Sequence, residues 1–234
     1  MKGLWLGQAG FLMTADDGTT VMIDPYMSDF LLDRDGPAFT RQVPIRQEFI
    51  KTPDILALTH CHEDHMDLAT LDQLFGQKRM TVLAPANVLP VLRQRYPGKA
   101  EFILFTPGTE VTLGSWHFRA TFAAHSDREA VGIVMDCDGK RIYHLGDSLY
   151  HRQLFADPVE DIDLLIIPIN GKGNNMNAVD AARLTRDLAP VAVLPMHWDL
   201  FKAFGCEVQE FTSRFTDADE VEIRIPEHYE HFTI

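Results

Sequence analysis

The sequence predicts an α/β fold of two β-rich halves within one domain spanning residues 1–234. Short apolar runs bounded by Gly, Pro or Asp alternate with segments whose apolar residues recur at helical spacing, which reads as strands and helices in turn. A second pass of similar layout then follows from about residue 121, with no linker or low-complexity stretch between the two. The length suits one domain. At 26.5 kDa, surface scaling leaves about 72% of the unfolded chain's surface buried, enough for a core that needs no staple.

Residues 4–23 carry two apolar runs, LWLGQAGFLM and TTVMID, separated by Asp16-Asp17-Gly18. That turn signal predicts a hairpin. The second run ends in Asp24-Pro25, where proline stops further ladder pairing. Residues 27–50 are rich in Asp, Pro and Arg with little periodicity, and read as a long surface excursion of the kind that shapes access to a site. Residues 54–59 form a short apolar run, expected as a strand buried on both faces. Leu68, Leu71, Leu74 and Phe75 follow at helical spacing. TVLAP, a helix over Val88–Arg95, EFILF, EVTL and SWHFRA complete the first half.

The second half begins with FAAHSD and AVGIVMD, then turns at Asp138-Gly139-Lys140 into RIYHLGD. LLIIPIN, a helix over 177–188 capped by Asn177, VAVLPMHWD, a helix near 208–215 and a terminal strand VEIRI complete it. Any symmetry between the halves would be structural, because no sequence repeat is visible.

Lys plus Arg number 21 against 34 Asp plus Glu, a formal charge of −13. Such a chain repels polyanions, so nucleic acid is not an expected partner. Cys61, Cys137 and Cys206 are few, odd in number and without CxxC spacing; a disulfide framework and a thiolate zinc site are both unsupported, and a reducing cytoplasm is the expected compartment. The first residues are broken by Gly7, Gln8 and Gly10 and run into Asp16 and Asp17, unlike a secretion leader. No stretch is long and apolar enough to span a bilayer, so no membrane partner is expected.

The chemistry gathers at THCHEDHMD. His60 and His62 lie two apart, so in extended chain both project to one side while Cys61 points to the other. Asp64 and His65 follow where the chain turns into a helix and can face a second position. Three imidazoles and a carboxylate within six residues make a candidate metal cradle. His125, Asp147 and His197 each lie just beyond an apolar run, and carboxyl ends of strands are where α/β sheets place ligands. INGKGNN is a candidate substrate loop: Asn170, Lys172, Asn174 and Asn175 bring permissive backbones and one cation suited to a phosphate or carboxylate.

HxHxDH followed by His, Asp and His in that order resembles the metallo-β-lactamase fold superfamily of metal-dependent hydrolases. The resemblance implies a four-layer αββα sandwich. It implies one metal ion held by His60, His62 and His125, a second by Asp64, His65 and His197, and Asp147 bridging both, with Asp24 steadying the histidine loop from behind. More narrowly, WLGQAGF, IDPYMSD, HLGDSLYH, PINGKGNNMN and LPMHWDLF are similar to the L-ascorbate-6-phosphate lactonase family. That similarity implies manganese where the wider superfamily implies zinc, and a homo-oligomer.

The expected cofactor is therefore one or two divalent ions, zinc or manganese. Water bridging such ions is acidified to a pKa of about 7 and attacks a carbonyl or phosphorus as hydroxide. In a lactone, one metal would stabilise the oxyanion, and the leaving alkoxide would take a proton from metal-bound water or from Asp64. The expected substrate is a small anionic lactone or ester. Two other readings fit the same residues: a phosphodiesterase acting on small diesters or phospholipid head groups, and a metal-binding domain without turnover.

Overall fold

The computed structural model describes residues 1–234. The strands are β1 (Lys2–Gly7), β2 (Gly10–Thr14), β3 (Thr20–Ile23), β4 (Ile55–Ala57), β5 (Met80–Ala84), β6 (Ala100–Leu104), β7 (Glu110–Leu113), β8 (Trp116–Phe122), β9 (Val131–Cys137), β10 (Lys140–His144), β11 (Leu164–Pro168), β12 (Ala192–Met196), β13 (Glu222–Ile223) and β14 (His231–Thr233). The helices are α1 (Phe30–Asp35), α2 (Leu68–Leu74), α3 (Val88–Arg95), α4 (Ala178–Leu188) and α5 (Gln209–Thr212). No helix is long and apolar enough to cross a membrane.

Two seven-stranded sheets run in the orders β14-β1-β2-β3-β4-β5-β6 and β13-β12-β11-β10-β9-β8-β7. Read from β14, the first sheet makes three antiparallel pairings and then three parallel ones. Read from β7, the second does the same. The symmetry absent from the sequence is present in the pairing.

Alternation along the strands builds the layers. In β4, Ile55 and Ala57 join the central core between the sheets, whereas Leu56 packs with α2 and α3 on the outer face. In β11, Leu164 and Ile166 face the same central core, while Leu165 and Ile167 pack against α4 and Phe211 of α5. Three apolar interfaces thus separate four layers, helices outside and sheets inside. Because both faces of these strands are covered, they read in the sequence as continuous apolar runs. Asn177 caps α4 by accepting from the Val179 and Asp180 amides, both at 2.9 Å. Asn177→Ala is expected to cost about 1 kcal/mol in urea denaturation; an unchanged midpoint would remove the cap from the account.

Several expectations need correction. LWLGQAGFLM is two strands, because the chain reverses at Gly7 and Gln8, both with positive φ. The halves divide after β6, so EVTL and SWHFRA belong to the second sheet. The helix expected near 208–215 is regular only over Gln209–Thr212, since Arg214 and Phe215 bond three residues back. VEIRI pairs only through Glu222–Ile223. The last strand is β14, which returns to the first sheet beside β1.

Candidate metal centre

Strand ends of both sheets meet above the central core. Pro25 follows β3, and Asp24 is left fully buried with positive φ. Its carboxylate accepts from the Thr59 amide at 2.8 Å, from the Thr59 hydroxyl at 2.5 Å and from His65 Nδ1 at 2.7 Å. The Thr59 hydroxyl, having given its proton to Asp24, accepts from His60 Nδ1 at 3.0 Å. Both imidazoles therefore carry a proton on Nδ1 and turn Nε2 toward the cluster, the nitrogen a metal ligand would use. Asp24 thus lies buried behind the histidine loop.

His60, His62 and His125 cluster with ring centroids 4.6–4.8 Å apart. His60 Nε2 is buried and has no hydrogen-bond partner. Burial, reinforced by the neighbouring His65, pushes the His60 pKa down to about 3, so its lone pair stays available at any ordinary pH. Asp64, His65 and His197 form the second group. Asp64 Oδ2 lies 3.3 Å from His197 Nε2 and 3.7 Å from His65 Nε2.

Asp147 stands between the groups. Its Oδ1 is 3.3 Å from His65 Nε2, and its Oδ2 is 3.3 Å from His197 Nε2 and 3.8 Å from His125 Nε2. Oδ1 is buried yet accepts no aligned hydrogen bond. Burial opposes charge on His65 and His197, but Asp147 and Asp64 outweigh it, holding His65 well above the usual range and His197 at about 9. Without a cation from outside, protons on these rings balance the carboxylates.

This donor set fits divalent ions: imidazole nitrogens and carboxylate oxygens in two groups, with orphaned acceptors at His60 and Asp147. His125 differs from its partners. Its Nδ1 accepts from the Asp127 amide at 3.2 Å, which puts its proton on Nε2, facing the Gly173 carbonyl at 3.1 Å. Cys61 packs against the outer core of the first sheet, away from the cluster.

The substrate-loop expectations divide. Asn174, with positive φ, lines the cavity above the cluster. Asn175 does not reach it: its side-chain oxygen accepts from the Ser148 amide at 3.1 Å and its nitrogen donates to Asp147 Oδ2 at 2.9 Å. It holds the Asp147 carboxylate in place. Asn170 lines the cavity, but its Nδ2 lies 3.0 Å from the Phe204 carbonyl and 3.2 Å from His197 Nδ1. Lys172 is no free anion anchor, because Nζ donates to the Ala203 and Gly205 carbonyls at 3.0 and 2.9 Å.

One residue of the cluster escaped the sequence reading. Gln8, 2% exposed in the turn between β1 and β2, donates from Nε2 to Asp64 Oδ2 at 2.8 Å and lies 3.1 Å from both His197 ring nitrogens. The only available signal was a polar residue between two glycines in an apolar run. His144 donates from Nε2 to the Ala9 carbonyl at 3.0 Å and accepts from the Gly146 amide at 3.2 Å. It joins the turn carrying Gln8 to the turn carrying Asp147.

Gly146 makes that second turn possible. Its φ is +66°, and an added Cβ would lie 2.6 Å from the Val131 carbonyl. Gly146→Ala is expected to destabilise the fold by about 2–4 kcal/mol through strain and overpacking together. A change below about 1 kcal/mol in thermal or urea unfolding would contradict this.

Paired seven-stranded sheets with imidazoles and carboxylates at their shared rim define the class: a metal-dependent hydrolase built on the metallo-β-lactamase fold. The comparisons agree. The chain belongs to the β-lactamase superfamily domain family, whose model matches residues 19–198. A UPF0173 metal-dependent hydrolase of Polynucleobacter asymbioticus is 31% identical over 217 residues, covering 84% of this chain and 73% of the relative. One from Pyrococcus abyssi is 25% identical, covering 97% of each. Among solved structures, the metallo hydrolase Igni18 from Ignicoccus hospitalis matches in fold with a TM-score of 0.77 at 24% identity, covering 100% of this chain and 98% of that one.

Proposed function

We propose that the protein hydrolyses the acyl–oxygen bond of a small lactone or ester. The observation carrying this reading is two groups of three imidazole and carboxylate side chains, with Asp147 within 3.8 Å of His65, His197 and His125 and with His60 Nε2 and Asp147 Oδ1 left without partners. In this reading His60, His62 and His125 hold one divalent ion, Asp64, His65 and His197 hold the other, and Asp147 serves both. Bound zinc or manganese would supply Lewis acidity and an acidified water.

The chain's own residues do the rest. Asp24 and Thr59 engage Nδ1 of His65 and His60, so that each turns Nε2 toward the centre. Gln8 fixes Asp64 through Oδ2, leaving Oδ1 free to take the proton that the attacking water loses and return it to the departing alkoxide. An ester or lactone suits a site that must stabilise one oxyanion and protonate one leaving oxygen. The anionic group expected on the substrate has no free cation waiting at Lys172, so the ester or lactone carbonyl alone defines the proposal.

The test is a hydrolysis panel of metal-reconstituted protein against lactones, oxygen esters, thioesters and phosphodiesters. Ring opening of lactones or cleavage of oxygen esters, lost on chelation, supports the proposal. Phosphodiester cleavage without either would replace it. No turnover at full metal occupancy would point to a binding domain.

A further inference from the structure

The cavity over the cluster has a volume of about 370 Å³, and one wall is apolar: Leu31, Phe39, Phe201 and Phe204. Two separate segments build that wall. Phe39 comes from the excursion between β3 and β4, and Phe201 and Phe204 come from the loop just after His197. Phe39 stacks on Phe204 with centroids 4.7 Å apart and meets Phe201 edge-on at 5.5 Å. The Gln42 amide donates to the Leu200 carbonyl at 2.8 Å, pinning the excursion to the loop.

The loop is itself fixed to the cluster. Asn170 Nδ2 contacts both the Phe204 carbonyl and His197 Nδ1, so the ring of Phe204 is set at a defined offset from His197. Gly205 closes the turn, and a Cβ there would fall 2.1 Å from the Trp198 carbonyl. Phe39 and Phe204 nevertheless remain only half-buried. A rigid, partly exposed aromatic pair beside a reaction centre is a binding surface in waiting.

The cavity's arginine and lysine are both engaged. Arg34 pairs with Asp35 at 2.6 Å and Glu63 at 2.5 Å, and Lys172 is spent on two carbonyls. A charged tail would find no unpaired counter-ion on the walls, whereas an apolar tail would cover the exposed faces of Phe39 and Phe204. We infer that the acyl or ring substituent of the substrate is neutral and apolar, an alkyl chain or phenyl ring seated against Phe39 and Phe204. This inference rests on the hydrolase reading above for the position of the reacting carbonyl, but the subsite itself is tested by binding.

The experiment is calorimetric titration of the metal-loaded protein with carboxylates from acetate to hexanoate and with phenylacetate, as analogues of an acyl product. Affinity is expected to rise about fourfold per methylene until the wall is covered. In Phe204→Ala and Phe39→Ala, checked for native circular dichroism, that gain should shrink to about twofold or less. Phe204→Leu should keep the gain for alkyl chains and lose the preference for phenylacetate. Flat affinity across the series in the parent protein, or an undiminished gain in both alanine variants, would overturn the inference. Graded binding with inert esters and lactones would keep the subsite and remove the proposed reaction; turnover with flat binding would do the reverse.

Discussion

His60→Ala is expected to lower kcat/KM on the order of 10³-fold or more and to reduce bound metal, while circular dichroism stays native. The argument runs through the lone pair. His60 is fully buried, its Nδ1 proton is committed to Thr59, and its Nε2 has no partner in the protein. Nothing in the fold uses that nitrogen, so the substitution removes a ligand at the cost of one buried hydrogen bond, from Nδ1 to the Thr59 hydroxyl. The core does not depend on it, since the three apolar interfaces are complete elsewhere. Activity and metal content equal to the parent would refute the role assigned to this histidine.

Asp24→Ala is expected to act in the opposite sense, on stability first. Three donors converge on this carboxylate: the Thr59 amide, the Thr59 hydroxyl and His65 Nδ1. Removing it leaves buried donors unsatisfied and strands His65, held protonated by its surroundings, without one of the carboxylates that balance it. Breaking such a buried pair costs about 3–5 kcal/mol. Urea denaturation of metal-free protein gives the number directly, and a loss below about 1 kcal/mol would show that the pair is dispensable. The two variants separate site from scaffold: one empties the centre of a ligand, the other loosens what aims the ligands.

Much of the fold was legible because the strands are buried on both faces. Ile55 to Leu58 and Leu164 to Ile169 stand out as apolar runs for that reason, and α2, α3 and α4 follow from their helical spacing. What escaped depends on partners distant in sequence. β14 is only three residues long, and its place is set by Phe232 lying over Gly3, where a Cβ would come within 2.3 Å of the ring. Gln8 meets residues 56 and 189 positions away. Lys172 looked free because the carbonyls that occupy it belong to Ala203 and Gly205, on another loop. The histidine motif was legible because its spacing is local; the walls of the cavity were not, because they are assembled by packing.

The cluster draws its members from both sheets: His60, His62, Asp64 and His65 from the loop after β4 in the first, His125, Asp147 and His197 from strand ends of the second. Those seven side chains span the seam between the two layers of strands. Slippage of one layer against the other would pull the cluster apart, so whatever tightens the cluster also resists that shear. Metal loading should therefore slow amide hydrogen exchange in β4 and β12 together, although they lie in different sheets. The centre would then act as a rivet through the sandwich as well as a place for chemistry.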